Sequence, residues 1–229
     1  MLNLMLYGVL PYLAIGSFFC VSVVRYLKMP FTFSSLSTQF LESKQLFWGS
    51  VPFHIGILTL FAGHLVGFMF PRAVMAWNGM PVRLLILETT AMIAAFLALV
   101  GLTALIVRRA GSARLRANTT VMDVLVYVTL LMAIGTGLWV ALAMRWGSAW
   151  YTHTLVPYLW SVFKLNPDVQ LMVDMKLPAQ LHVISAFLLI GVFSFTRLVH
   201  AFVAPLPYLW RPPQQVIWNR ARRQPQAHD

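Results

Sequence analysis

Five apolar stretches, each about as long as a bilayer is thick, limit this chain more than any other feature. They lie at about 4–27, 48–70, 83–107, 121–144 and 180–203. A spanning helix needs roughly 20 mostly apolar residues. Lipid offers no hydrogen bonds to a bare backbone, so such stretches must be helical or close into a barrel. Of 229 residues only 10% are charged, against about 25% in a soluble domain. The expected architecture is an all-α integral membrane protein with a bundle of five transmembrane helices over 1–204 and a tail over 205–229. The first stretch is too long for a signal-peptide core, lacks a basic start and shows no convincing small-residue cleavage site, so it reads as a retained helix.

Seventeen Lys and Arg against six acids give a net charge of +11. In a soluble protein that balance would raise nucleic acid as a partner. Here the basic residues sit in short segments beside apolar runs, where they set topology and meet anionic lipid headgroups. Arg25, Lys28, Lys44, Arg108, Arg109, Arg114, Arg116, Arg211, Arg220, Arg222 and Arg223 fall on one side. Arg72, Arg83, Arg145, Lys164 and Lys176 fall on the other, with Arg197 inside a span. Eleven against five places the N-terminus outside and the C-terminus in the cytoplasm. The outer segment 145–179 carries Trp146, Trp150, Tyr151, Tyr158 and Trp160, rings suited to the membrane–water boundary, and part of it reads as an interfacial helix. From Pro205 onward four further prolines forbid a regular helix, leaving an extended arm on the cytoplasmic face for a partner. The lone Cys20 excludes an internal disulfide or a cysteine-held cluster in this chain and reads as a small buried apolar side chain.

Six histidines occur. His228 belongs to the tail and His153 to the outer aromatic segment, where surface roles suffice. His54, His64, His182 and His200 lie inside spans, where ionisable groups are costly and usually functional. One buried histidine is explained by a hydrogen bond; four divided between two helices are not. The second and fifth spans run in opposite directions, so His64 and His182 come near one face and His54 and His200 near the other. Two bis-histidine haems require that arrangement. Ten residues between His54 and His64 rise about 15 Å, and eighteen between His182 and His200 about 27 Å, so the helices must cross or the haem normals slant. Eighteen steps also return His182 and His200 to one helix face. Gly56, Gly63 and Gly67 offer room for a flat macrocycle or for close helix packing. Arg197, one turn before His200, suits a haem propionate or snorkels to the headgroups; Arg114 and Arg116 are further propionate candidates, or serve topology alone.

The segments FHIGILTLFAGH at 53–64, LRANTTVMDVLV at 115–126 and LHVISAFLLIGVFSFTRLVH at 181–200 resemble the gamma subunit of respiratory nitrate reductase, a dihaem cytochrome b, and the resemblance covers most of the chain. It implies two haems b, His64 with His182 on the distal one and His54 with His200 on the proximal one. It implies two cytoplasmic partners, an iron-sulfur beta subunit and a molybdenum-containing alpha subunit, and no nitrate-reducing site in this chain. It further implies oxidation of menaquinol or ubiquinol near the distal haem, with protons released outside and electrons passed inward, in the cytoplasmic membrane of a bacterium or archaeon. The family's quinol-site lysine aligns, after a one-residue gap, with Arg83, which keeps the charge but not the donor geometry; a plain interfacial arginine is the alternative. Glu88 either accepts a quinol proton or pairs with Arg83. Two other readings stay open: a cytochrome b of the same architecture in a heterodisulfide-type or sulfite-type reductase, and a haem-free anchor or transporter whose histidines relay protons.

Overall fold

The computed structural model describes residues 1–29 and 46–203. Lys44, the 205–229 arm, its four arginines and His228 lie outside the described residues. Within them, all regular structure is helical. The elements are α1 Leu2–Lys28, α2 Leu46–Met69, α3 Pro71–Asn78, α4 Pro81–Gly111, α5 Ala113–Ala117, α6 Val121–Ala143, α7 Gly147–Trp150, α8 Val156–Phe163, α9 Gln170–Val173 and α10 Leu177–Phe193, followed by a 3-10 helix at Arg197–Val203. Four helices, α1, α2, α4 and α6, are long and apolar enough to cross a membrane. The fifth apolar stretch differs from the expected continuous span: it gives 17 residues of α-helix, a turn at 194–196 and then the 3-10 segment.

Local chemistry sets these boundaries. Pro71 and Pro81 open α3 and α4, where a missing N–H costs nothing. Thr120 and Asp123 form a reciprocal capping box at the start of α6, with Asp123 N to Thr120 Oγ1 at 3.2 Å and Thr120 N to Asp123 Oδ2 at 3.0 Å. Pro11 cannot donate to the carbonyl four residues earlier. The chain answers with a π turn at Met5–Val9, and the freed Tyr7 carbonyl accepts the Tyr158 hydroxyl at 2.8 Å. A second π turn, Tyr151–Leu155, precedes Pro157 in the outer aromatic segment. Burial raises the pKa of the Tyr158 phenol, with Tyr7 and Tyr12 adding to the effect, so it remains a donor at any working pH.

The long helices pack in the order α2, α4, α6, α10, α1. The tightest seam joins α2 to α4. A Cβ on Gly56 would stand 2.4 Å from the Ala94 carbonyl oxygen, and one on Gly101 would stand 2.3 Å from the Phe53 nitrogen. Small residues thus let two backbones meet, as membrane helices often do. Phe53, Ala98, Leu102, Leu130 and Ile134 fill the core beside this seam. Tyr7, Tyr158, Val162, Met172, Val183 and Phe187 fill another between α1, α8, α9 and α10. Large apolar side chains such as Leu58, Phe61, Leu85 and Val100 remain exposed on the outside, as lipid-facing residues do. Cys20 is also exposed, which corrects the expected protein burial. It lies six residues, about 240° around an α-helix, from buried Ala14, so it faces outward from the bundle.

Gly101→Ala is expected to cost about 1–3 kcal/mol, the usual range for overpacking, read as a lowered melting temperature of the purified protein. Gly16→Ala, at a position with nothing within 4 Å of the added Cβ, should leave that temperature unchanged or slightly raised.

Candidate functional site

α2 and α10 are not neighbours in the main packing order, yet histidine rings meet across the space between them. The His54 and His200 ring centroids are 6.0 Å apart, and those of His64 and His182 are 6.2 Å apart. Two axial imidazoles on one iron require nearly this value. A metal–nitrogen bond of about 2.0 Å and about 1.1 Å from nitrogen to ring centre, taken twice, give about 6 Å. Among the described residues no three or more His, Cys, Asp or Glu converge on one point. The histidines therefore form two separate pairs rather than one cluster.

Each imidazole is held through Nδ1. His54 bonds to Ser50 O at 2.7 Å, His64 to Leu60 O at 2.7 Å, His200 to Arg197 O at 2.6 Å, and His182 to Ala133 O of α6 at 3.1 Å. A carbonyl oxygen only accepts, so Nδ1 carries the proton in all four. Neutral imidazole then presents its lone pair at Nε2. A donated Nδ1–H bond of this kind is the usual orienting partner of a metal-bound histidine.

The break after Phe193 reconciles the unequal spacings. A continuous helix would put about 27 Å between His182 and His200, against about 15 Å along α2 between their partners. The turn at 194–196 and the tighter 3-10 segment redirect the chain so that His200 lies beside His54. The expectation that eighteen steps return both residues to one face of a single helix is corrected accordingly. Residues of α1 secure the break. Arg25 donates to the Ser194 carbonyl and, at 3.2 Å, to the Thr196 carbonyl. Ser22 Oγ meets Ser194 Oγ at 2.6 Å, and Ser194 Oγ donates to Phe18 O at 2.9 Å.

The three glycines near the α2 histidines have different settings. Gly56 serves the α4 seam, and Gly67 makes room for Tyr151, whose Cε1 would lie 2.7 Å from an added Cβ. Gly63 alone faces open space, with nothing within 4 Å. A glycine not singled out from the sequence, Gly137 of α6, lets the His182 ring lie against the helix: an added Cβ would be 2.9 Å from its Cε1. Tyr151, expected only as an interfacial ring, packs on His64. Its hydroxyl donates to His64 O at 2.8 Å and its ring meets the His64 ring edge-on at 5.4 Å. Burial pushes its phenol up to about 12, which keeps the donor protonated.

Arg83 and Glu88 do not pair. The Arg83 guanidinium lies over the Trp77 ring, 5.2 Å from its centroid. Glu88 Oε1 accepts from Ser148 N at 2.8 Å and Ser148 Oγ at 2.7 Å, anchoring the first turn of α7. Five residues along a helix is too far for the usual side-chain pair, and Ser148 supplies nearer donors.

The nitrate reductase gamma subunit family model matches residues 3–219. This chain belongs to that family. It is 31% identical to the respiratory nitrate reductase 2 gamma chain of Escherichia coli, with 97% of this chain and 98% of that one covered. It is 30% identical to the nitrate reductase gamma chain of Bacillus subtilis, with 90% and 94% covered. A nitrate reductase-like protein, NarX, of Mycobacterium tuberculosis is 33% identical over 97% of this chain, which spans only 36% of that longer relative. The gamma-subunit family and the four long apolar helices together make this a multi-pass protein of the cytoplasmic membrane.

In this gamma-family chain Arg197 has a partner that the sequence reading missed. Its Nε donates to Asp123 Oδ1 at 2.8 Å, while Arg109 Nη1 reaches Asp123 Oδ2 at 3.1 Å. The Arg197 side chain nevertheless stays half-exposed. Asp123 is nearly buried and ties together the end of α4, the start of α6 and the 3-10 turn carrying His200. Arg116 meanwhile donates to Ala110 O at the end of α4. The acid stands within the 115–126 segment, at a helix start where capping alone would justify it. Replacing Asp123 by Ala strips the carboxylate from nearly buried Arg109 and from half-exposed Arg197, a loss of about 1–3 kcal/mol for a buried donor left unsatisfied. A clear drop in melting temperature is expected, with Arg109→Ala in the same background costing much less than it does alone.

Proposed function

We propose that this chain is the quinol-oxidising membrane subunit of a respiratory nitrate reductase, with His64 and His182 holding one haem b and His54 and His200 holding a second. The observation that carries this reading is the pair of facing imidazoles at each site, 6.2 and 6.0 Å between centroids, with every Nδ1 proton committed to a carbonyl. A proton-relay histidine needs a nitrogen that exchanges its proton; four fixed tautomers favour metal ligation. Haem bound at the two sites supplies one-electron carriers between a two-electron donor and a partner subunit.

The residues of this chain then have definite tasks. The backbone carbonyls fix the Nδ1–H tautomer and raise the donor strength of Nε2. Gly63 leaves the side of α2 next to His64 clear for a planar ring. Arg197, with Nε committed to Asp123, retains terminal nitrogens for a propionate at the His54/His200 site. Gly56 and Gly67 act through packing, bringing α4 and Tyr151 against the histidine-bearing helix. Quinol is oxidised beside the His64/His182 site. Arg83, on the Trp77 ring, borders that region, and Glu88 acts chiefly as the anchor of α7.

The excess of Lys and Arg in segments after α1, α4 and α10 supports an outward N-terminus and a cytoplasmic C-terminus, with five crossings and the fifth completed by the 3-10 segment. That topology puts His64 and His182 near the outer face. Protons released outside and electrons delivered inside separate charge worth about 2.3 kcal/mol per electron per 100 mV for a full crossing. The partners are an iron-sulfur subunit and a molybdenum-containing subunit on the cytoplasmic side, contacted in part by the 205–229 arm. Nitrate is reduced in the latter.

Haem quantification in the purified complex tests this reading. Two haems b per chain, reducible by quinol, are expected. His64→Ala or His182→Ala should remove one and block quinol-dependent reduction, while His54→Ala removes the other. A colourless preparation, or unchanged haem content in these variants, refutes it.

A further inference from the structure

The four Nδ1 bonds are not equivalent. His54, His64 and His200 each donate to a carbonyl three or four residues back in their own helix. His182 alone reaches to another helix, where its Nδ1 lies 3.1 Å from Ala133 O and 3.2 Å from Thr136 Oγ1, both on α6. The Thr136 hydroxyl donates within its own helix, to Met132 O at 2.6 Å and at greater distance to Ala133 O at 3.3 Å. Its oxygen therefore faces His182 as an acceptor. Ser185 Oγ, 3.1 Å from the Thr136 oxygen, gives its proton to His182 O at 2.8 Å. Gly137 lets the ring approach closely enough for these contacts. His54 also has a hydroxyl nearby, Ser50 Oγ at 3.2 Å, but it belongs to the same helical turn and adds no link between helices.

We propose that Thr136 is a positioning residue for the His64/His182 iron site, sharing the Nδ1 proton of His182 with Ala133 O and thereby biasing that iron toward its ferric state. This rests on the haem reading above. A stronger acceptor at Nδ1–H makes the imidazole a better electron donor through Nε2, and a more electron-rich ligand set stabilises the higher oxidation state. Among the groups that touch His182 Nδ1, Ala133 supplies only backbone, which side-chain substitution does not remove. Thr136 is the side chain through which the sequence sets the strength of this bond, and it does so for one site and not the other.

The test is a spectroscopic redox titration of the purified complex carrying Thr136→Val, which keeps the shape and removes the hydroxyl, beside Thr136→Ser, which keeps the hydroxyl. In Thr136→Val the ratio of ferrous to ferric iron at the His64/His182 site, at a fixed ambient potential, should rise roughly threefold to tenfold, the span one hydrogen bond supports. The other component should stay in place, and Thr136→Ser should titrate like the unaltered protein. If Thr136→Val instead loses that haem while Thr136→Ser keeps it, the hydroxyl holds the ligand without setting its potential, and the proposal is overturned. Both components titrating unchanged in Thr136→Val, or both variants losing the haem alike, overturns it. Absence of haem from the unaltered complex would refute the haem reading itself, a result distinct from either.

Discussion

The bond from each imidazole Nδ1–H to a carbonyl oxygen is the interaction on which the account of this molecule rests. A histidine at membrane depth is expensive unless both nitrogens are used. Here one nitrogen of each ring is satisfied by backbone, at 2.6–3.1 Å, which leaves Nε2 for a ligand. The rings of each pair lie 6.0 and 6.2 Å apart between centroids. On the reading proposed above, one iron sits between the rings of each pair.

The rest of the fold places those rings. α2 is held against α4 by glycine contacts, which sets the positions of His54 and His64. α6 receives the His182 ring over Gly137. The hardest task falls to the chain after Phe193, which must bring His200 back toward His54. It is held there from two sides: α1 supplies Arg25 and Ser22 to the opened turn, and Asp123 grips Arg197 just before His200. The seam of small residues, the hydroxyls and the buried acid are thus parts of one device, spread over five helices, for aiming four nitrogens.

Much of this was legible in the sequence. Apolar length alone gives the helices, since lipid leaves the backbone few alternatives, and four helices meet that test directly. That His54 would face His200 and His64 face His182 follows from two antiparallel helices. The break at 194–196 was not legible, for it contains neither Pro nor Gly and depends on Arg25, some 170 residues earlier. Asp123 hid behind an ordinary capping motif. Gly56 and Gly67 left two readings open, room for a macrocycle or close packing, because glycine marks close approach without saying what approaches. Glu88 was read as a quinol-proton acceptor or as the partner of nearby Arg83, whereas its donors come from Ser148, sixty residues on. Each miss concerns a contact between distant segments, and periodicity carries no record of those.

Near-infrared magnetic circular dichroism of the oxidised, purified complex, combined with iron analysis, tests the central claim most directly. Two low-spin ferric haems per chain, each with the signature of two histidine axial ligands, are what the paired imidazoles predict. A single haem, or any haem with a methionine, thiolate or water in place of the second histidine, would contradict it.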